Sequence, residues 1–157
     1  AYELALRIPE QGKEILQTQR QRIHNPDRLR QFDFISRAMT AELKIGQFIP
    51  IFIASGKQKI EPWAATTLSY LNHPTRQDYA VKYIRPALEK TEEVQRTGDI
   101  FFPRNWVGAL LRNHDSEAAY KEVEAFLSVY PDYPPLLKNK ILQAAYPLYR
   151  KYADKKK

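Results

Sequence analysis

With 157 residues, a net charge of +7 and no cysteine, the chain is about one domain's worth, and a domain of that size removes roughly 70% of its unfolded surface from water. The lack of cysteine excludes disulfides and thiolate metal sites, and it fits a reducing compartment. Lys155, Lys156 and Lys157 supply three of the seven net charges, which leaves +4 on the body and weakens any argument for nucleic acid from charge alone.

The first residues, Ala1–Arg7, read as helix and not as a signal peptide, and no apolar run nears the roughly 18–20 residues of a membrane span. A start without methionine, inside a helical pattern, reads as a piece of a longer chain. Lys13, Arg20, Arg22, Arg28, Arg30 and Arg37 cluster next, but Glu10, Glu14, Asp27 and Asp33 are interleaved with them. That mixture describes a solvated helix face better than a phosphate-binding surface. Leu29, Phe32, Ile35 and Met39 then fall on one helical face. Phe48–Ile53 is apolar at both parities and contains Pro50, which predicts a short distorted helix and not a strand.

Prolines punctuate the helical pattern. Pro26, Pro62, Pro103 and Pro134 each precede or open an amphipathic run, where the missing N–H costs nothing and the fixed φ suits the first turn. Asn25, Thr75 and Asp115 are the expected N-caps. Pro86 and Pro147 fall inside helical patterns and predict kinks or early ends. Helical stripes continue through Trp106, Val107, Leu110 and Leu111, and then through Ala119, Val123, Phe126 and Leu127. The last stripe is Leu137, Ile141, Ala144, Leu148 and Tyr152, ahead of a basic tail at 153–157.

A thin internal repeat runs through Asn25-Pro26-Asp27-Arg28, His73-Pro74-Thr75-Arg76 and His114-Asp115-Ser116, at spacings of 48 and 41 residues. Two-helix solenoid repeats recur at about 40–47 residues. The expected fold is therefore all-α, with antiparallel helix pairs stacked as a HEAT/armadillo-like right-handed superhelix spanning 1–152 as one domain.

Catalytic motifs are missing. His24, His73 and His114 are not in a His-Glu-x-x-His arrangement, and a structural role at helix ends is the expectation for all three. There is no Gly-x-Ser-x-Gly elbow, and the five glycines are too scattered for a phosphate loop. Glu92-Glu93 and Glu122/Glu124 read as solvated faces. The chain by itself is not expected to be an enzyme. One segment stands out, Gln95-Arg96-Thr97-Gly98-Asp99-Ile100-Phe101-Phe102-Pro103-Arg104-Asn105-Trp106, because a helix connection needs only about 2–8 mostly polar residues. Trp63 and Trp106, each in a first turn after proline, read more as core than as a ligand-facing wall. Arg96, Asp99 and Arg104 either pair locally or face a cavity, where a guanidinium suits a carboxylate.

Further segments join the Gln95–Trp106 stretch: Glu61-Pro62-Trp63, Leu71-Asn72-His73-Pro74-Thr75-Arg76 and Tyr83-Ile84-Arg85-Pro86-Ala87-Leu88 lie ahead of it. Pro131-Asp132-Tyr133-Pro134-Pro135-Leu136-Leu137-Lys138 and Lys140-Ile141-Leu142-Gln143-Ala144-Ala145 follow, with Asn25-Pro26-Asp27-Arg28 and Ser36-Arg37-Ala38 upstream. By these motifs the chain from Trp63 to Tyr149 resembles the C-terminal helical domain of bacterial zinc aminopeptidases of the aminopeptidase N family (gluzincin metallopeptidases).

The resemblance implies a non-catalytic module capping the active-site cavity of a peptidase that removes N-terminal residues from peptides. The zinc motif of such enzymes lies upstream, so no catalytic or metal residue is carried over, and zinc belongs to the parent's catalytic domain. The implied partners are that catalytic domain and peptide substrates, without nucleic acid or a membrane span. The implied compartment is bacterial cytoplasm or periplasm. The expected substrate-cavity residues are Arg85, Arg96, Asp99, Phe102, Arg104 and Trp106, with an arginine meeting a peptide carboxylate. The alternatives are an independent helical-repeat scaffold for a protein or peptide and, last, a nucleic-acid binder.

Overall fold

The structure is a computed structural model that describes residues 1–39 and 61–153; the Phe48–Ile53 segment and the lysines of the tail lie outside the described residues. Every regular element among the described residues is helical. In chain order they are α1 (Tyr2–Arg7), α2 (Gly12–Gln21), α3 (Pro26–Ser36), a 3-10 turn at Arg37–Met39 and α4 (Glu61–Leu71). Next come a 3-10 turn at Pro74–Arg76, α5 (Gln77–Ala80), a 3-10 turn at Val81–Tyr83, α6 (Ile84–Leu88) and α7 (Thr91–Thr97). The chain continues through α8 (Phe102–Leu111), α9 (Glu117–Val129), α10 (Pro135–Ala144) and α11 (Tyr146–Tyr152).

α8 is the hub. It packs against α4, α7 and α10, with α6 at its side. Phe102, Pro103, Trp106, Val107, Gly108, Leu110 and Leu111 are all buried, so the helix is apolar around most of its circumference. One hydrophobic core runs from Leu6 on α1 to Leu148 on α11. The N-terminal helices reach it mainly through Leu6, Ile35, Ala38 and Met39. Arg76 ties that edge down: its guanidinium donates to the carbonyl oxygens of Ala38 and, at 2.9 Å, of Met39. Those carbonyls lie at the end of the α3 region, where a cation satisfies orphan acceptors.

The helix starts follow the expected chemistry with two corrections. Asn25 Oδ1 accepts from the Asp27 and Arg28 amides, both at 3.0 Å, as a capping side chain should. At the second start the cap is His73 and not Thr75: Nδ1 accepts from the Thr75 amide at 3.3 Å. Pro74 is the reason, since it takes the first helical position and forces its predecessor into extended backbone. At the third, Ser116 takes the place expected for Asp115, because Ser116 holds the extended conformation (φ −91°, ψ 153°) that a cap needs. Its Oγ accepts from the Ala119 amide at 3.2 Å.

Pro86 sits in a helix of five residues. Pro147 divides the last stripe into α10 and α11, because it has no N–H to continue the ladder. The break shifts the register, so Ala145 is fully buried in the place expected for Ala144, which is half-buried. Beyond the break, Lys151 Nζ and Tyr152 Oη both donate to the Asp115 carbonyl at 2.9 Å, which fastens α11 to the α8–α9 turn.

Candidate functional site

The Gln95–Trp106 segment folds as a tight corner between α7 and α8. Thr97 Oγ1 donates to the Glu93 carbonyl at 2.8 Å, closing the last turn of α7. Gly98 follows, and a Cβ there would stand 2.4 Å from Phe102 Cδ1 and 2.9 Å from the Val94 carbonyl oxygen. Only glycine lets the aromatic ring of α8 lie against the end of α7. Asp99 then caps the next helix: its Oδ1 accepts from the Phe101 amide at 2.7 Å and the Phe102 amide at 2.8 Å.

This geometry splits the apolar residues of the corner into two sets. Phe102 and Trp106 turn inward and meet edge to face, with ring centroids 6.0 Å apart. Trp106 is wholly buried, and its Nε1 donates to the Ala87 carbonyl at 3.0 Å. Ala87 is in the last turn of α6, and its carbonyl also accepts from the Lys90 amide at 3.3 Å, so the indole ties α8 to the closing turn of α6. Ile100 and Phe101 turn outward instead, at 83% and 64% exposed. The Asp99 cap fixes the backbone beneath them, so this apolar pair is held out on a rigid mount.

The three arginines expected at the cavity, Arg85, Arg96 and Arg104, have different surroundings. Arg85 is half-buried on α6 and pairs with Glu89 at 3.3 Å. Arg96 lines a groove of about 600 Å3 with Glu89, Glu92, Glu93, Gln95 and Pro134. Arg104 lines a separate, smaller groove between α8 and α10. Of the six residues expected at a substrate cavity, Phe102 and Trp106 therefore serve the core, Asp99 builds the corner, and Arg96 and Arg104 face different hollows.

The histidines have structural surroundings. His24 is exposed in the turn before α3. His73 presents Nε2 to Glu3 Oε2 at 3.2 Å, joining the α4 end to α1. His114 is buried beside Asn72, with Nε2 2.8 Å from Asn72 Oδ1. Asn72 Nδ2 donates to the Leu68 carbonyl at 2.9 Å, which orients the amide and makes Oδ1 the acceptor. The proton of His114 thus sits on Nε2, and among the described residues Nδ1 has no partner. Burial pushes the His114 pKa below its ordinary value, with Asp115 opposing weakly. Sequence periodicity does not reveal this pair, since its members are 42 residues apart.

Among the described residues no group of three His, Asp or Glu side chains is placed to hold a metal ion. Nor is any described helix long and apolar enough to cross a membrane. No family model, curated protein or solved structure matches this chain.

Proposed function

We propose that this chain is the helical, non-catalytic C-terminal domain of a zinc aminopeptidase of the aminopeptidase N family. In this reading its helix pairs stack as a HEAT/armadillo-like right-handed superhelix, cap the active-site cavity and control peptide access. Zinc would belong to the catalytic domain upstream, and no step of the chemistry is assigned to residues here.

The observation that carries the reading is the corner at Gly98–Phe102. It coincides with the most distinctive stretch of the family resemblance, and it holds Ile100 and Phe101 out into solvent on a capped, glycine-dependent backbone. Exposed apolar side chains scattered singly need no explanation, but a rigidly mounted pair fits an interface. The catalytic domain is the partner that the resemblance supplies.

The first test is the reading frame upstream of Ala1, which should encode His-Glu-x-x-His with a distant glutamate. In the whole enzyme, replacing Ile100 and Phe101 together by serine should loosen the cap and relax its control over peptide length. Arg104→Ala should raise KM for peptides while sparing a small chromogenic substrate, and equal effects on both would sink a substrate role for Arg104. An upstream frame without the zinc motif would replace this reading by an independent helical-repeat scaffold, with the same corner docking a protein partner.

A further inference from the structure

Several cations of this surface sit beside a carboxylate: Arg7 pairs with Glu3, Arg20 with Asp33, Arg30 with Asp27, Arg85 with Glu89, Lys90 with Glu93, Lys121 with Glu117 and Lys151 with Asp115. The groove between α8 and α10 instead gathers three cations around one hollow. Arg104, Gly108 and Arg112 succeed one another at intervals of four, which places them along one stripe that runs down α8 to its C-cap, Arg112. α10 faces them with Lys140, Gln143 and Ala144, and together these residues line a hollow of about 150 Å3.

The floor of the hollow is small because Gly108 and Ala144 are small. A Cβ on Gly108 would come within 3.2 Å of Arg112 Cζ and Nε, so the guanidinium folds back over the glycine toward the hollow. No acidic side chain lines it. Arg104, Arg112 and Lys140 also make no ion pair among the described residues. Three cations around one concavity repel each other, and an anion between them relieves that repulsion. Size narrows the ligand: drug-sized molecules occupy pockets of about 300–1,000 Å3, whereas this hollow suits a head group of a few heavy atoms.

We propose that the α8–α10 groove binds a small oxyanion, either a free phosphate-type ion or the carboxylate end of a peptide. Arg104 and Arg112 supply forked donors, Lys140 a point charge and Gln143 a neutral amide at the rim. The site shares Arg104 with the aminopeptidase reading, but it is built wholly from this chain, so its binding can be measured without a catalytic domain.

The test is calorimetric titration of the chain with inorganic phosphate, a short peptide bearing a free C-terminal carboxylate, and the same peptide amidated. One-to-one saturable binding of phosphate or of the free-acid peptide supports the site, and preference for one over the other identifies the source of the oxyanion. Arg112→Gln and Lys140→Gln should each weaken that binding about tenfold, the scale of one charge-assisted hydrogen bond. Arg28→Gln, at an exposed arginine of α3, changes net charge equally and should leave binding intact. No saturable binding of either ligand, or an equal loss in Arg28→Gln, would overturn the proposal. Whatever the result, the upstream zinc motif and the peptide-length assays test the aminopeptidase reading separately.

Discussion

α2 and α8 are both ten-residue helices with an amphipathic sequence, yet they are held in opposite ways. α8 buries seven of its residues and interlocks with three neighbouring helices, whereas α2 buries only Gly12. Its close approach to α1 is a matter of backbone: a Cβ on Gly12 would stand 3.0 Å from the Ala5 carbonyl oxygen. The rest of its attachment includes half-buried Ile15 and Leu16 and the two-pronged Arg20–Asp33 pair, at 2.7 and 2.9 Å on the surface. Periodicity marks the stripe of α8, and the mixed charges of α2 mark a solvated face, but neither says how firmly its helix is held. Stability should accordingly be concentrated around α8 and shallow at the N-terminal edge.

Substitution at the hub should break the structure most. Trp106→Ala removes a wholly buried indole together with its hydrogen bond to the Ala87 carbonyl, so urea unfolding should show a loss of about 3–5 kcal/mol. Gly98→Ala comes next, because its Cβ meets the Phe102 ring and the Val94 carbonyl; the strain should cost about 1–3 kcal/mol and lower Tm.

The third test is pH. Because burial holds the folded-state pKa of His114 below its ordinary 6.5, the unfolded chain takes up that proton first. The contribution of His114 is thus fully present above about 6.5, falls as pH drops through the interval below it, and levels off beneath the folded pKa. His114→Gln, which keeps a donor for Asn72 but cannot titrate, should flatten that part of the stability profile relative to the native chain. The smallest effect belongs to the N-terminal edge. Arg20→Gln removes an exposed pair, so its change in Tm should be slight and should shrink further in high salt. A large effect there would mean that α2 is held more firmly than its burial indicates.

Much of the fold was legible because it is written locally. Helical class follows from the spacing of apolar residues, and Pro26 and Asn25 announce α3 through side chains that act within one turn. Errors appear where one residue of register decides. Ser116 and Asp115 both carry capping oxygens, and only the backbone conformation selects between them. Ala145 replaces Ala144 in the core because Pro147 resets the helix.

The candidate site was less legible for a different reason. Ile100, Phe101, Phe102 and Trp106 look alike as apolar residues, and the turn at Gly98 and Asp99 sorts them into exposed and buried. The grouping of Arg104 and Arg112 with Lys140 needs α8 and α10 to face each other, and no local spacing reports that. The same holds for Asn72 and His114.

The placement of the two tryptophans gives the chain a built-in optical readout of its unequal halves. Trp106 is sealed in the hub with its N–H engaged, while Trp63 is half-buried and lies against Phe34 of α3 at a centroid distance of 5.9 Å. Loosening of the first three helices should therefore red-shift and quench one emission component and leave the other untouched. Single-tryptophan variants carrying phenylalanine at the other position would let fluorescence follow the edge and the hub as separate signals in one molecule.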